Sequence, residues 1–215
     1  MRMRRVKWAA DYLGEAKCRI VQPQAMAGNW KEKLGGKKLH VEIGTGKGNY
    51  SLGMSELYPQ DGFVAVEKNE SAAGIAAKKY DEYGRSNLLL VYDDADRIEE
   101  WFGQGEVDVI HLNFSDPWPK KRNAKRRLSS PKFLKQYEKI LSDDGEIQMK
   151  TDNSSLFEYS LLEMLAGGFE LTDVSVDFRR EDHPEDVITE YEEKFIAEQK
   201  PIYRSVWKKK KDETD

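Results

Sequence analysis

The chain has 215 residues, of which 39% are hydrophobic and 34% are charged, a balance typical of a soluble globular protein with a charged surface. This length accommodates one domain with a substantial core, and a second full domain would be cramped. The 35 Lys and Arg residues against 39 Asp and Glu give a net charge of −4, which argues against a uniformly basic nucleic-acid binder. The charges are segregated along the chain, so local patches matter more than the total.

Cysteine and histidine content excludes several kinds of site. Cys18 is the only cysteine, so no intramolecular disulfide can form, a cysteine-based zinc site is excluded, and a reducing compartment is indicated. His40, His111 and His183 have no ligand spacing, so we predict no metal site. The basic N-terminus lacks the apolar segment of a signal peptide, and no apolar run approaches the ~18 residues of a membrane span. We therefore expect a cytoplasmic protein.

Residues 1–38 form a basic and then mixed segment before the first strand. Scattered glycines and a proline predict short helical or irregular pieces instead of a separate domain. A solvated N-terminal arm and a role in RNA contact are both compatible with this pattern.

The first informative stretch is a short apolar strand at 39–43 that contains Glu42 and leads into Gly44, Gly46 and Gly48. Glycines let a strand turn sharply into a helix and let a ligand approach the backbone, while the helix N–H groups favour an anionic group. The Gly-x-Gly-x-Gly spacing differs from the Gly-x-Gly-x-x-Gly of dinucleotide binders. It resembles the first motif of Rossmann-like S-adenosylmethionine-dependent methyltransferases. A tight turn that binds nothing is the alternative interpretation.

Glu67 ends the second predicted strand. A helix is predicted over 50–58, stopped by Pro59, and an apolar strand follows at 63–66. An acid at the tip of the second strand, about 20 residues past the glycines, is where a Rossmann-like fold binds ribose hydroxyls. The alternative is an ordinary surface glutamate.

A second acidic group follows the third predicted strand. The pattern predicts a helix over 70–83 and a strand over 88–92, followed by Asp93, Asp94 and Asp96. A divalent metal site is conceivable here, but a capped turn before the next helix is favoured. Asp94 lies where such a fold would bind the exocyclic amine of an adenine.

The second half of the chain continues the alternation. Strands are predicted at 107–114 and 146–150, with a helix at 134–141 between them and another after Asp152. Residues 169–178 and 194–207 are predicted to form an antiparallel edge hairpin. Residues 177–198 between these strands hold nine acids against three basic residues, which usually indicates a solvated face.

Strands alternating with helices predict an α/β fold with a mostly parallel sheet and helices on both faces. Ligands bind such sheets beyond the carboxyl ends of the strands. The acids at or near those ends are Glu42, Glu67, Asp94, Asp116 and Asp152.

The loop after the fourth predicted strand is chemically unusual. Pro117 and Pro119 stiffen it, so Asp116 is held on a rigid support beside the flat ring of Trp118. Six basic residues follow within 119–127, and an indole beside cations suits stacking of a base drawn out of an RNA fold. A core aromatic in a proline-rich turn is the alternative for the tryptophan.

Three segments together resemble the tRNA (guanine-N7)-methyltransferase family: 115–121 (Ser-Asp-Pro-Trp-Pro-Lys-Lys), the basic run 122–127, and 189–192 (Thr-Glu-Tyr-Glu). The resemblance covers nearly the whole chain, from residue 39 to residue 206. It implies a Rossmann-like class I methyltransferase with a mostly parallel seven-stranded sheet and an antiparallel edge strand, over residues 39–207. Residues 208–215 would be a charged tail. It also implies S-adenosylmethionine as cofactor and tRNA as partner, with a variable-loop guanine as target. Separately, we expect no membrane association and a monomer or homodimer.

The same resemblance implies roles for individual residues. The cofactor would be bound by Glu42, Gly44, Gly46, Gly48, Glu67, Asp94 and Asp116, and Asp116 would also be catalytic. The guanine and its surroundings would be contacted by Lys120, Asp152, Thr189, Glu190, Tyr191 and Glu192. The RNA would be bound by Arg122, Lys125, Arg126 and Arg127.

The chemistry agrees with this assignment. Guanine N7 has a free lone pair, so no base is needed and positioning should dominate catalysis, which fits the lack of a Ser-His or Cys-His arrangement. Asp116 could orient the base and stabilise the positive charge that moves into the purine, and carboxylates of 189–192 could accept from guanine N1–H and N2. Three alternative functions are less compatible with the sequence. The glycine spacing argues against a nicotinamide-dependent oxidoreductase, and a non-catalytic RNA-binding protein would leave the strand-end acids unexplained. The six cations near the site argue against a methyltransferase that acts on a small molecule.

Overall fold

The computed structural model describes residues 5–210 as eight strands and seven α-helices around one sheet. The strands are β1 (Arg19–Ile20), β2 (Leu39–Ile43), β3 (Gly62–Glu67), β4 (Leu88–Tyr92), β5 (Val107–Asn113), β6 (Leu141–Thr151), β7 (Phe169–Ser175) and β8 (Tyr203–Lys209). The helices are α1 (Lys7–Glu15), α2 (Trp30–Leu34), α3 (Asn49–Leu57), α4 (Glu70–Tyr83), α5 (Pro131–Ile140), α6 (Ser154–Ala166) and α7 (Glu190–Ala197). Short 3-10 helices cover Pro23–Met26, Ala95–Glu100, Lys121–Arg126 and Phe178–Arg180.

The sheet order is β1-β4-β3-β2-β5-β6-β8-β7. The first six strands in that order are parallel, β8 is antiparallel to β6, and β7 is antiparallel to β8. The chain therefore runs outward from β2 to β4 and then returns to β5 on the other side. The carboxyl ends of β2 and β5 flank this reversal, which is where a sheet of this kind leaves a crevice for a ligand.

The α/β class, the parallel sheet and the edge hairpin are confirmed, but the strand count is eight, not seven. The additional strand is β1, whose residues Arg19 and Ile20 align with Leu90 and Val91 of β4. Its two residues carry no alternating pattern, and the strand exists because the exposed edge of β4 offers backbone partners, such as the Leu90 N–H that donates to the Cys18 carbonyl at 2.9 Å.

The predicted strand over 194–207 is wrong in its first part. Residues 194–197 belong to helix α7, and the strand begins only at Tyr203. A capping box starts the helix: the Thr189 hydroxyl accepts from the Glu192 N–H, and the Glu192 carboxylate accepts from the Thr189 N–H. The box satisfies two backbone donors at the helix start, and this local gain favours helix over strand.

Central strands are buried on both faces, as in parallel sheets covered by helices. In β3 the side chains of Val64 and Val66 enter one hydrophobic cluster, and those of Phe63 and Ala65 enter the cluster on the opposite face. Two layers of helices therefore hold the sheet rigid, so the loops at its carboxyl edge start from fixed positions.

The segment before β2 packs on this core. A Cβ added at Gly74 of α4 would lie 2.0 Å from the Ala9 carbonyl oxygen of α1, so the two helix backbones are in close contact. Asp81 of α4 accepts from the Tyr12 hydroxyl at 3.0 Å and from the Cys18 N–H at 2.8 Å. The predicted arm is thus packed against α4 through α1 and Cys18. Arg2 and Arg4 lie outside the described residues, as do 211–215 of the predicted tail.

Two features of residues 5–210 concern membrane spans and metal sites. Within that range, no helix has the length and apolarity that crossing a bilayer requires. The same range contains no group of three or more His, Cys, Asp or Glu side chains arranged to hold a metal ion.

Candidate active site

Five acidic side chains lie at or just after the carboxyl ends of neighbouring strands, as the sequence predicts. They are Glu42 on β2, Glu67 on β3, and Asp94, Asp116 and Asp152 after β4, β5 and β6. The two glutamates are buried and the three aspartates are exposed. The edge therefore has an inner pair of carboxylates and an outer set that faces solvent.

The glycine turn between β2 and α3 is open on one side and packed on the other. Gly44, Gly46 and Gly48 have φ values of +83°, +60° and +81°. A Cβ at Gly44 or Gly46 would meet no atom within 4 Å, whereas one at Gly48 would lie 2.5 Å from the Tyr80 hydroxyl. A ligand could approach the backbone at the first two glycines, and only the third is required for packing.

Glu42 is bonded entirely within the protein. Its Oε2 accepts from the Thr45 hydroxyl at 2.6 Å and the Ser51 hydroxyl at 2.5 Å, and its Oε1 accepts from Asn113 Nδ2 at 3.0 Å. This carboxylate ties the glycine turn to α3 and to the end of β5. Its geometry is that of a support beneath the site.

Glu67 lies beside the open face of the turn. Its Oε2 accepts from the Gly46 N–H at 2.8 Å and its Oε1 from the Asn69 N–H at 2.7 Å. Burial raises the pKa of this carboxyl group, and the backbone donors partly oppose that effect. Asp94, in contrast, is exposed, with Lys68 Nζ 3.6 Å from its carboxylate.

The Asp-Pro-Trp-Pro loop is held in an uncommon backbone conformation. Phe114 and Trp118 have positive φ values of +50° and +41°. Non-glycine residues in this region are strained, and such strain is concentrated at functional sites. Asp116 between them is exposed and makes no hydrogen bond or ion pair with any residue in the described range 5–210. Its carboxylate is therefore available to a ligand.

Arg127 supports this loop from below. Its Nε donates to the Pro117 carbonyl at 2.9 Å, one terminal nitrogen donates to the Trp118 carbonyl at 3.1 Å, and the guanidinium lies 4.1 Å from the Tyr159 ring centroid. The side chain is half-buried. Its position differs from that of the other predicted RNA-binding residues.

Those other residues face solvent, as does Lys120 from the predicted guanine contacts. Lys120, Arg122, Lys125 and Arg126 are exposed on and beside the 3-10 helix Lys121–Arg126. The Arg126 guanidinium lies 4.9 Å from the ring centroid of Trp118. The structure thus presents an exposed cationic surface next to an indole, the arrangement expected for contact with nucleic acid.

The segment 189–192 divides into an outward and an inward pair. Glu190 accepts from Asn49 Nδ2 at 2.5 Å and from Lys47 Nζ at 3.1 Å, so it lies on the glycine turn. Tyr191 is 59% exposed, and its ring centroid is 6.0 Å from that of Phe114. Thr189 and Glu192 are buried, and Glu192 is 0% exposed.

Glu192 is held by two buried cations that the sequence interpretation missed. Its Oε2 accepts from Lys150 Nζ at 3.1 Å and its Oε1 accepts from Arg179 Nε at 2.9 Å. Asp186 completes the group, with its Oδ2 2.7 Å from Lys150 Nζ. The sequence did contain a signal for this cluster, because Lys150 lies at the end of a predicted apolar strand and residues 177–198 are rich in acids.

A chain of hydrogen bonds links this group to the centre of the sheet. The Tyr50 hydroxyl donates to Asp186 Oδ1 at 2.9 Å, so it accepts from His111 Nδ1, 3.2 Å away. His111 Nε2 then accepts from His40 Nδ1 at 3.0 Å. Burial lowers the pKa of His40 to about 4 and holds the pKa of His111 well below its usual range. Both imidazoles are therefore neutral at pH 7.

Sequence comparison finds relatives that match 95% of the chain. A family model described as "Putative methyltransferase" matches residues 36–205. A protein of Listeria monocytogenes named tRNA (guanine-N(7)-)-methyltransferase is 46% identical over 206 residues, covering 95% of this chain and 96% of the relative. A protein of the same name from Bacillus velezensis is 42% identical over 207 residues, covering 95% of each chain.

Solved structures share the fold at low sequence identity. The 16S rRNA methyltransferase KamB superposes with a TM-score of 0.63 at 15% identity, covering 83% of this chain and 91% of its own. A SAM-dependent methyltransferase from Aquifex aeolicus gives a TM-score of 0.58 at 13% identity, covering 92% of this chain and 97% of its own. These likenesses establish the methyltransferase fold.

Proposed function

The chain belongs to the tRNA (guanine-N7)-methyltransferase family, and on that premise we propose how its residues use S-adenosylmethionine to methylate N7 of a guanine in the variable loop of tRNA. The observation that carries the proposal is the 46% identity to a relative of that name over 95% of the chain. The exposed Asp-Pro-Trp-Pro loop beside an exposed cationic surface supports it independently.

The residues at the glycine turn fit S-adenosylmethionine. The backbone at Gly44 and Gly46 borders open space that a side chain would fill. Glu67 beside it offers carboxylate oxygens suited to ribose hydroxyls, and exposed Asp94 could accept from the adenine amine. Glu42 would act indirectly, by fixing the turn on which the cofactor lies.

When bound, S-adenosylmethionine supplies a methyl group on a sulfonium: the N7 lone pair forms the new N–C bond, the S–C electron pair stays on sulfur, and the positive charge passes to the purine. No proton moves in this exchange, so the chain needs no general base. Its residues instead have to hold the guanine with N7 directed at the cofactor, and placement of this kind can account for most of an enzymatic rate enhancement.

Asp116 is the residue we assign to the reacting base. Its carboxylate is exposed, unpaired within residues 5–210, and held on a loop stiffened by two prolines. A fixed negative charge there orients the guanine and stabilises the positive charge that develops in its ring. Lys120 and Asp152, both exposed at the same edge, are assigned to the surroundings of the base.

The exposed basic residues are assigned to tRNA phosphates. Arg122, Lys125 and Arg126 lie on one short helix, and Trp118 beside them can stack on an unpaired base. Glu190 and Tyr191 are the members of 189–192 that can meet the guanine directly. With tRNA as substrate we also propose a cytoplasmic location, and a monomer or homodimer as the working form.

Methylation of unmodified bulk tRNA tests the proposal. The protein is incubated with methyl-labelled S-adenosylmethionine and tRNA, and the RNA is digested to nucleosides. We expect label in 7-methylguanosine, and loss of that label with Asp116→Ala. Label in another nucleoside, or tRNA binding without label, would contradict the proposed reaction.

A further inference from the structure

Four charged side chains form a closed group behind the segment 189–192. Lys150 and Arg179 supply the cations and Asp186 and Glu192 the carboxylates, and their side chains are 3%, 9%, 8% and 0% exposed. Lys150 Nζ lies 2.7 Å from Asp186 and 3.1 Å from Glu192, and Arg179 pairs with both carboxylates. Two positive charges therefore balance two negative charges within one buried cluster.

Stability alone does not explain such a group. Burying four charges costs desolvation, and apolar side chains of similar volume often stabilise a fold equally well. What the ion pairs add is geometry, because each cation contacts both carboxylates. Lys150 lies on β6, Arg179 and Asp186 on the connection after β7, and Glu192 on α7, so the group fixes three separate elements against one another.

The fixed element that matters is the start of α7. Glu192 accepts from Lys150 and also from the Thr189 N–H at 2.8 Å, so one carboxylate joins the sheet to the helix cap. The two residues between them point outward: Glu190 bonds to the glycine turn, and Tyr191 lies against Phe114, two residues before Asp116. A shift of the cap would move both side chains relative to both loops.

We propose that Lys150 and Arg179 are positioning residues of the methyl transfer, which act through Glu192 to set Glu190 and Tyr191 against the glycine turn and the Asp116 loop. The proposal rests on the function proposed above. It assigns Glu192 to the support of the site, because a carboxylate with no exposed surface and both oxygens bonded inside the protein has no contact to offer a guanine.

The first test compares Lys150→Met with a matched buried control. Glu106→Gln is the control, since Glu106 is also buried and accepts three backbone N–H bonds, from Gly28, Trp30 and Gly103, at the opposite end of β5. In the absence of substrate, hydrogen exchange of the amides of 189–193 should rise at least about 10-fold for Lys150→Met and remain unchanged for the control. The exchange measurement does not depend on methyl transfer, so its result remains valid even if the proposed reaction is refuted.

The kinetic readout separates positioning from a loss of folded enzyme. Because small misplacements can cost about 100-fold in rate, Lys150→Met should lower kcat by about 10- to 100-fold with less than about a threefold change in the KM for tRNA. Arg179→Lys keeps the charge but loses the fork that reaches both carboxylates, so it should give an intermediate kcat. If Lys150→Met does not fold, Arg179→Lys carries the test. A normal kcat and normal exchange in the folded variant would overturn the proposal.

The second test uses the substrate to distinguish support from contact. A tRNA with inosine at the target position lacks the guanine N2 amine. If Glu192 is a support, Glu192→Gln lowers kcat/KM by the same factor for guanosine and inosine substrates. A Glu192→Gln effect that disappears with inosine would indicate direct contact with the amine and would overturn the assignment. Wild-type enzyme that forms no 7-methylguanosine would refute the proposed function instead, leaving the exchange measurement to decide on positioning.

Discussion

Arg127→Met tests whether this arginine supports the Asp-Pro-Trp-Pro loop or contacts tRNA. The change removes two hydrogen bonds to the carbonyls of Pro117 and Trp118 and the guanidinium contact with Tyr159. Half-exposed bonds from a charged donor are worth about 1 kcal/mol each and the cation–π contact about 1 kcal/mol more, so the loop loses about 3 kcal/mol. If the whole of this free energy is lost from the loop conformation that supports methyl transfer, kcat decreases by up to about 100-fold.

The assay is steady-state methylation of tRNA over a range of salt concentrations, with Arg122→Met as the matched control. The Arg122 side chain is exposed and makes no hydrogen bond or ion pair with another residue of the described range. Its loss should raise the KM for tRNA and reduce the log–log salt slope by about 0.7 to 0.9, the value for one phosphate contact, with kcat unchanged. Arg127→Met should do the reverse, lowering kcat while leaving the slope unchanged.

If the two variants behave alike, Arg127 does not act as a support of the loop. An Arg127→Met enzyme with normal kcat and a salt slope reduced by one contact would mean that the guanidinium leaves its two carbonyls to bind a phosphate. The half-buried geometry would then describe only the protein without RNA.

Three further outcomes follow from the structure. Asp116→Asn should lower kcat by about 100-fold or more, because a fixed charge near the reacting base is lost, and should leave the Tm unchanged because the carboxylate is exposed; single-turnover kinetics and calorimetry measure the two quantities. Glu42→Ala should lower the unfolding free energy by about 3 kcal/mol or more in urea titrations, since three buried donors lose their acceptor. Burial lowers the pKa of His40 from 6.5 to about 4, so between these pH values the unfolded chain binds a proton that the folded chain does not. The unfolding free energy should therefore fall with falling pH over that range, by on the order of 3 kcal/mol, and His40→Gln should flatten the curve; an equally steep curve in the variant would contradict this cause.

The parts of the fold that were predictable are those with a local pattern. Helix α4 and strand β4 begin and end where the apolar periodicity places them. Strand β1 was not predictable, because two residues carry no period and pair only where β4 leaves an edge. The start of α7 was misread because its acidic composition suggested a solvated face, whereas the Thr-x-x-Glu capping box that starts it is a signal the sequence did contain.

The position of the candidate site was predictable from the sequence, but the role of each residue within it was less so. Acids at strand ends must lie at one edge of a parallel sheet, so Glu42, Glu67 and Asp116 could be assigned to that edge from sequence. The sequence could not show which carboxylate oxygens already accept hydrogen bonds within the protein. Those bonds depend on donors that are distant in the chain, as Asn113 is from Glu42. For the same reason the sequence could not distinguish Arg127, which bonds to the loop carbonyls, from its exposed basic neighbours.

Phe114 connects the two supports on which the proposed catalysis depends. Its N–H donates to the Lys150 carbonyl at 2.8 Å, and its ring stacks near Tyr191 at the start of α7. Its positive φ then turns the chain into the loop that carries Asp116 and is held by Arg127. Lys150, which forms an ion pair with Glu192 of α7, therefore also holds through its backbone the residue that leads into the Asp116 loop. A reaction that requires no proton transfer depends on such placement, so the buried side chains beneath this edge should govern kcat and the exposed cations KM.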